Sequence, residues 1–404
     1  MLSRNRMYAF LALLVVSPLC ASCGGGSDPG AGGAEDVFAT LERAAAYPEP
    51  FSFLNGVREM PDGTLLAADP LSQVLLRLDL GASTADTLGQ VGGGPDEYRQ
   101  PDQVFPLPAD STLLVDLGKA LLTVIGPDGV FHEGMQMARP AENGRLTVIM
   151  PRFVDEQGGL YFTGSRGMGQ GPPDSTALLR FDRALDQLDT VATLWVPELQ
   201  VTRSGGNVSV VPRMMEPRDE WAVGMDGSLV VVRASDYSVE WYHPDGQVVV
   251  GPPNAFETFS IGDSDKEAFL EDMTSGGITM MMTASQGGAT SMQMSRGGGM
   301  GGGDGPSPAD FEWAEVFPPF QPNRTLVSPD GHAWVQSWLP LGEQPRMEVF
   351  DHQGARAGHV EMPLSSRILG FGNTPDGGEV AYIVRTDDVG LRWLEQYRVV
   401  KVPG

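Results

Sequence analysis

The stretch from Gly89 to Phe131, GQVGGGPDEYRQPDQVFPLPADSTLLVDLGKALLTVIGPDGVF, decides how the rest of the chain is organised. It opens on a glycine-rich connector around Gly92-Gly93-Gly94-Pro95. A turn, Ala109-Asp110-Ser111-Thr112, then leads into the apolar run LLV, and a second run, LLTVIG, ends at the turn Pro127-Asp128-Gly129. Asp-Gly between apolar runs is a strong hairpin signal, because tight hairpin turns need positive φ, which Gly and Asp adopt at little cost. Branched and aliphatic residues on both sides favour strands.

The same unit recurs outward from this stretch. First turns stand at Pro61-Asp62-Gly63-Thr64, Gln157-Gly158-Gly159, Asp226-Gly227-Ser228, Asp330-Gly331-His332 and Asp376-Gly377-Gly378, which with Ala109 to Thr112 makes six. Second turns follow at Leu80-Gly81, Asp182-Arg183, Pro244-Asp245-Gly246 and His352-Gln353-Gly354, behind strand-like runs such as VLLRLDL, ALLRFD, SVEWYH and RMEVFD. The first turns lie about 46 to 48 residues apart, except for two intervals of about 68 and 104 that hold insertions. No 3.6-residue periodicity runs through the repeats, which excludes a helical solenoid. A period of this length with four short strands is the signature of propeller blades, each unable to bury both faces alone. The spacing predicts an all-β chain, a six-bladed β-propeller of four-stranded antiparallel blades over residues 36–404. Ring closure should pair the termini, with Asp36 to Arg43 adding a strand to a last blade that ends in Leu391 to Val402.

The chain begins with Arg4 and Arg6, an apolar stretch from Met7 to Leu19, and then Cys20-Ala21-Ser22-Cys23. Such an apolar stretch is too short to span a bilayer core of about 30 Å, so it reads as an export signal. The small residues before Cys23 resemble a lipoprotein signal, which makes 1–22 the signal peptide and Cys23 the lipidation site. The Gly/Ser-rich segment 23–35 is a flexible tether. Both cysteines of the chain lie in this leader, so no intramolecular disulfide holds the mature fold. Lys and Arg number 27 against 52 Asp and Glu. Removal of the leader takes two arginines with it and leaves a charge of about −27, which excludes nucleic acid as a partner and limits membrane contact to the lipid anchor.

Residues 89–131 resemble an NHL-type repeat. Gly92, Gly93, Gly94, Pro95, Tyr98 and Pro101 stand at that family's connector positions, with Asp96 where Gly is frequent. The mature chain as a whole resembles the six-bladed β-propeller lipoproteins of bacteria. The resemblance gives Asp69 and Asp116, which follow their strands, a structural role.

No nucleophile elbow, HExxH motif or cysteine pair with metal spacing occurs, and the five histidines are scattered, so no catalytic residue, metal ligand or cofactor is assigned. Just upstream of the first turns, where innermost strands face a channel, stand Arg58, Glu59, Asp102, Gln103, Arg152, Arg218, Asp219, Glu220, Arg324 and Arg367. A set in which Arg recurs suits a carboxylate or phosphate better than a hard cation. Arg58, Arg152, Arg218 and Arg324 are the candidate ligand-binding residues, for a small anionic ligand or a protein partner. Ser264-Asp265-Lys266-Glu267 has the form of a capping box opening a short helix. The segment 273–308, rich in Met and Gly, reads as a low-complexity loop inserted between blades, and its thioethers suit Cu(I). The functional expectation is a monomeric, lipid-anchored binding scaffold in the cell envelope, facing the periplasm or the exterior. The alternatives are a metal-dependent hydrolase or lyase of the lactonase type and copper handling by the Met-rich loop.

Overall fold

The computed structural model describes residues 37–402, apart from 133, 141–145, 165–173, 198–199, 205–206, 212, 277, 285–289, 297–306 and 375–376. Six four-stranded antiparallel sheets follow one another along the chain. Blade I runs from Val57 to Thr87, blade II from Pro101 to Gln136, blade III from Phe153 to Trp195, blade IV from Glu220 to Val250 and blade V from Phe320 to Glu361. Blade VI takes three strands from Ser366 to Lys401 and its outermost strand, Ala39–Ala46, from the other end of the chain. The protein is a six-bladed β-propeller.

The predicted turns are where the strands reverse. Gly227 and Gly331, at φ +83° and +82°, supply the positive φ of two first turns. Blade II does without glycine: Ala109 and Asp110 both sit in the left-handed region, at φ +56° and +57°, closing a tight hairpin between Pro108 and Ser111. For Ala this conformation costs about 1 kcal/mol.

Blades pack face to face through six buried apolar clusters, one for each seam of the ring. Between blades I and II, Leu66, Leu75, Val104 and Leu114 enclose Tyr98 of the glycine-rich connector, whose hydroxyl accepts the Leu75 amide at 3.1 Å. Buried aspartates tie connectors to blades. Asp69 accepts the amides of Ser52 and Phe53 at 2.7 and 3.3 Å, and Asp116 those of Arg99 and Gln100 at 3.0 and 2.9 Å, so both are clamps between a blade and the connector that leads into its innermost strand.

Closure runs from Ala39 opposite Lys401 to Ala46 opposite Glu395. Phe38 extends the pairing by donating its amide to His359 of blade V at 2.8 Å. The expected pairing of the termini is therefore found, three residues further along than the sequence placed its start.

Two local expectations are corrected. The helix of the long insertion spans Asp263–Gly276, and its cap is Gly262, whose amide donates to Asp265 Oδ2 at 2.8 Å; Ser264 lies inside the first turn. Asp265 also accepts the Leu341 amide at 2.8 Å, a tertiary contact that fixes the start of the helix and that the capping pattern did not contain. The backbone of the Met-rich segment is not a plain loop: Ile278–Ala284 pairs with Thr290–Arg296 as an antiparallel ribbon. Alternating Thr, Met and Ile give that stretch enough strand preference for a local hairpin. Cys23 and the rest of 1–36 lie outside the described residues.

Candidate functional site

The innermost strands of the six blades surround a central cavity of about 2050 Å³. The long insertion after blade IV also reaches it. There the helix Asp263–Gly276 adds Phe269 and Asp272 to the lining, with Phe269 held between Trp313 and Trp338 at ring distances of 5.9 Å each.

The four candidate arginines have different surroundings. Arg58 lines the channel but commits its guanidinium to blade II, donating to the Thr112 hydroxyl and, at 3.0 Å, to the Asp110 carbonyl. It braces the glycine-free turn. Arg152 enters from the strand end before blade III, with its guanidinium carbon 5.0 Å from the Trp221 ring centroid and 5.1 Å from that of Phe153. It donates through Nη1 to Glu220, the first residue of blade IV, while its buried Nη2 has no hydrogen-bond partner among the described residues. The other carboxylate oxygen of Glu220 accepts the Asn323 amide of blade V, so this buried residue joins three blades.

Arg324, beside Asn323, lines the channel without a hydrogen bond or ion pair to any described residue. Burial lowers its pKa, Asp272 opposes the shift, Arg152 adds to it and Glu220 opposes it, which sets these four charges in one neighbourhood. Arg218 is exposed and lines a separate side cavity of about 420 Å³ between blades III and IV. Of the other upstream residues, Glu59 accepts the Asn373 amide of blade VI at 3.1 Å. Asp102 is buried on the channel wall. Asp219 holds Arg233 at 2.8 Å, and Arg367 donates to the Leu54 carbonyl.

Arg152 and Arg324 are thus brought together, Arg218 stands next door, and Arg58 is set apart in the seam of blades I and II. The sequence pattern did not single out Arg213, which lines the side cavity and donates to the Trp313 carbonyl at 3.1 Å, nor Asp272. Both are positioned by the long insertion, which carries no repeat signal.

Solved structures match this chain along nine-tenths of its length. The calcium-binding protein regucalcin from Agrobacterium tumefaciens is 14% identical, with 90% of this chain and 97% of that one covered, at a TM-score of 0.35. A luciferin-regenerating enzyme is 10% identical over 90% and 96%, at 0.41. Virginiamycin B lyase from Staphylococcus aureus is 9% identical over 90% and 99%, at 0.38. Likeness at this level carries nothing about ligand or chemistry. No protein-family model and no curated protein matches the sequence.

Proposed function

We propose that this protein is an exported, lipid-anchored binding propeller whose channel takes a small anionic ligand between Arg152 and Arg324. One observation carries the reading: two guanidiniums share a partly desolvated neighbourhood, and neither the Arg324 side chain nor Arg152 Nη2 is matched by a described acceptor. The buried Arg152 Nη2 left unpaired costs about 1–3 kcal/mol, and a carboxylate on it removes that cost. Titration of the full-length protein with acetate by calorimetry tests it. Heat of binding that disappears in Arg324→Gln is expected; none with the unaltered protein overturns it.

A metal-dependent hydrolase or lyase needs a convergent donor set. The described residues hold no group of three or more His, Cys, Asp or Glu side chains fit to take an ion. The lipid anchor rests on the leader alone, and among the described residues no helix is long and apolar enough to cross a membrane. Cys23→Ser should move the protein from the membrane to the soluble fraction. An unchanged membrane fraction removes lipidation at this residue. The NHL-like connector with Tyr98 and Pro101 supports membership of that wider repeat class.

A second reading, soft-metal handling, has one observation in its favour. The ribbon sets Met280 opposite Met294 and Met282 opposite Met292 in its register. Cu(I) competition against a chromogenic chelator tests this reading: removal of copper from the chelator by the unaltered protein, lost without 277–306, supports it, and no competition ends it.

A further inference from the structure

The channel and the side cavity share a wall. Arg152, Thr163, Trp221, Pro322 and Asn323 line both, whereas Arg324 lines only the first and Arg218 only the second. Arg152 is therefore the one of these guanidiniums that borders both spaces, with Arg324 on the channel side and Arg218 on the other.

The carboxylates around Arg218 do not neutralise it, although all three lie within two residues of it in sequence. Asp219 is taken by Arg233 at 2.8 Å and by the Trp195 amide at 2.9 Å, Glu216 lies 3.5 Å from Arg213, and Glu220 is held by Arg152 and the Asn323 amide. Arg218 itself has no hydrogen bond or ion pair to a described residue. In a chain with 27 basic and 52 acidic residues, an arginine that borders three carboxylates and pairs with none is a charge held apart by the prior commitments of its neighbours. On the other side Arg324 stands near Glu220, which is already held by Arg152 and the Asn323 amide. The two unmatched charges occupy different cavities, so a compact monoanion meets only one of them.

We infer that the ligand of this site is an elongated dianion, a small dicarboxylate whose two ends lie against Arg324 in the channel and Arg218 in the side cavity, passing Arg152 on the way. This rests on the anion reading proposed above and names the chemical class of its ligand. Each end meets a guanidinium able to grip a carboxylate in bidentate fashion. The hydroxyls of Thr163 and Thr176 and the Asn323 amide group line the way as uncharged polar partners. Selection follows from charge separation: a ligand with one carboxylate leaves Arg218 in water, and one whose charges are too close cannot reach both.

The test is calorimetric titration of the full-length protein at fixed ionic strength with acetate, succinate, glutarate and adipate. At least one dicarboxylate should bind tenfold or more tightly than acetate. Arg218→Gln should bring that dicarboxylate to the acetate level while leaving acetate unchanged, and Arg324→Gln should weaken both, with melting temperatures confirming that the variants fold. If acetate binds and responds to Arg324→Gln, but no dicarboxylate gains or Arg218→Gln changes nothing, the bridging ligand is refuted and the simple anion site stands. If no carboxylate binds at all, both fall.

Discussion

The Arg43 guanidinium lies 3.0 Å from the Glu395 carboxylate, across the one junction of the ring where strands from opposite ends of the chain meet. Glu395 is 3% exposed and Arg43 56%. Glu395 also accepts the Tyr397 hydroxyl at 2.8 Å and lies 3.5 Å from Arg385, and burial together with this carboxylate pushes the Tyr397 pKa up to about 12. The pair is asymmetric. Arg43→Ala should cost under about 1 kcal/mol, as exposed ion pairs do. Glu395→Ala removes the acceptor of a buried hydroxyl and should cost about 2 kcal/mol. Chemical denaturation of both variants measures the difference; equal costs would show that the acidic partner is not the anchor.

Backbone geometry gives a pair of opposite outcomes. Ala109→Gly relieves a left-handed alanine and should stabilise by about 0.5–1 kcal/mol. Gly251→Ala should destabilise by more than about 2 kcal/mol, because a methyl there falls 2.7 Å from the Gly354 carbonyl carbon, where blades IV and V meet backbone to backbone. Melting curves of the two variants should move in opposite directions.

Acid should loosen the seam of blades V and VI. His332 stands 4.9 Å from the Phe38 ring and 5.7 Å from the His352 ring, with its Nδ1 3.0 Å from Asp330, which also pairs with Lys401. Burial lowers its pKa below the ordinary 6.5, against the opposing pull of Asp351 and Glu379. A depressed histidine leaves the unfolded chain holding more protons, so its contribution is intact above pH 6.5 and is lost as pH falls from there through the lowered value. Glu379 works in the other direction: burial raises its pKa, so its contribution is present at low pH and fades as pH rises above its ordinary 4.5. Between pH 7.5 and 5.5 the melting temperature should fall more for the unaltered protein than for His332→Phe. Parallel curves would remove His332 as the titrating group.

Excision of 277–306 should leave the melting temperature within a degree or two of the unaltered protein. The ribbon Ile278–Ala284 and Thr290–Arg296 forms a two-stranded sheet of its own. Helix 263–276 stays in this deletion because Leu270 is buried and Phe269 packs on two tryptophans. A large drop would mean that the ribbon supports the blades.

The fold was legible where structure is local. Each blade announces itself by a turn whose φ demands Gly or Asp and by runs whose branched residues fill a seam, so six turns were enough for six blades. Even Ala109-Asp110 followed the pattern, although what steadies it, Arg58 from the neighbouring blade, is invisible at that distance in sequence. The site was less legible. Arg152, Arg218 and Arg324 stand at different offsets from their turns, and only the ring brings the first and last around Glu220. Which arginines remain unmatched depends on bookkeeping among Asp219, Glu216 and Glu220 that spans three blades, and no spacing rule encodes it.

The closing strand also sets an order of events. Ala39–Ala46 is made before any complete blade, and its partner Arg392–Lys401 is made after the five blades that lie between them. Until then blade VI has no outer strand and blade V no finished neighbour, so five blades wait with an open edge while the chain is completed. Joining ends so far apart costs loop-closure entropy that local hairpins do not. The strand Arg392–Lys401 therefore acts as a clasp, and a chain cut short before Arg392 loses two adjacent strands of one blade at a stroke, leaving an unsealed ring whose bare edges are open to pairing with other chains.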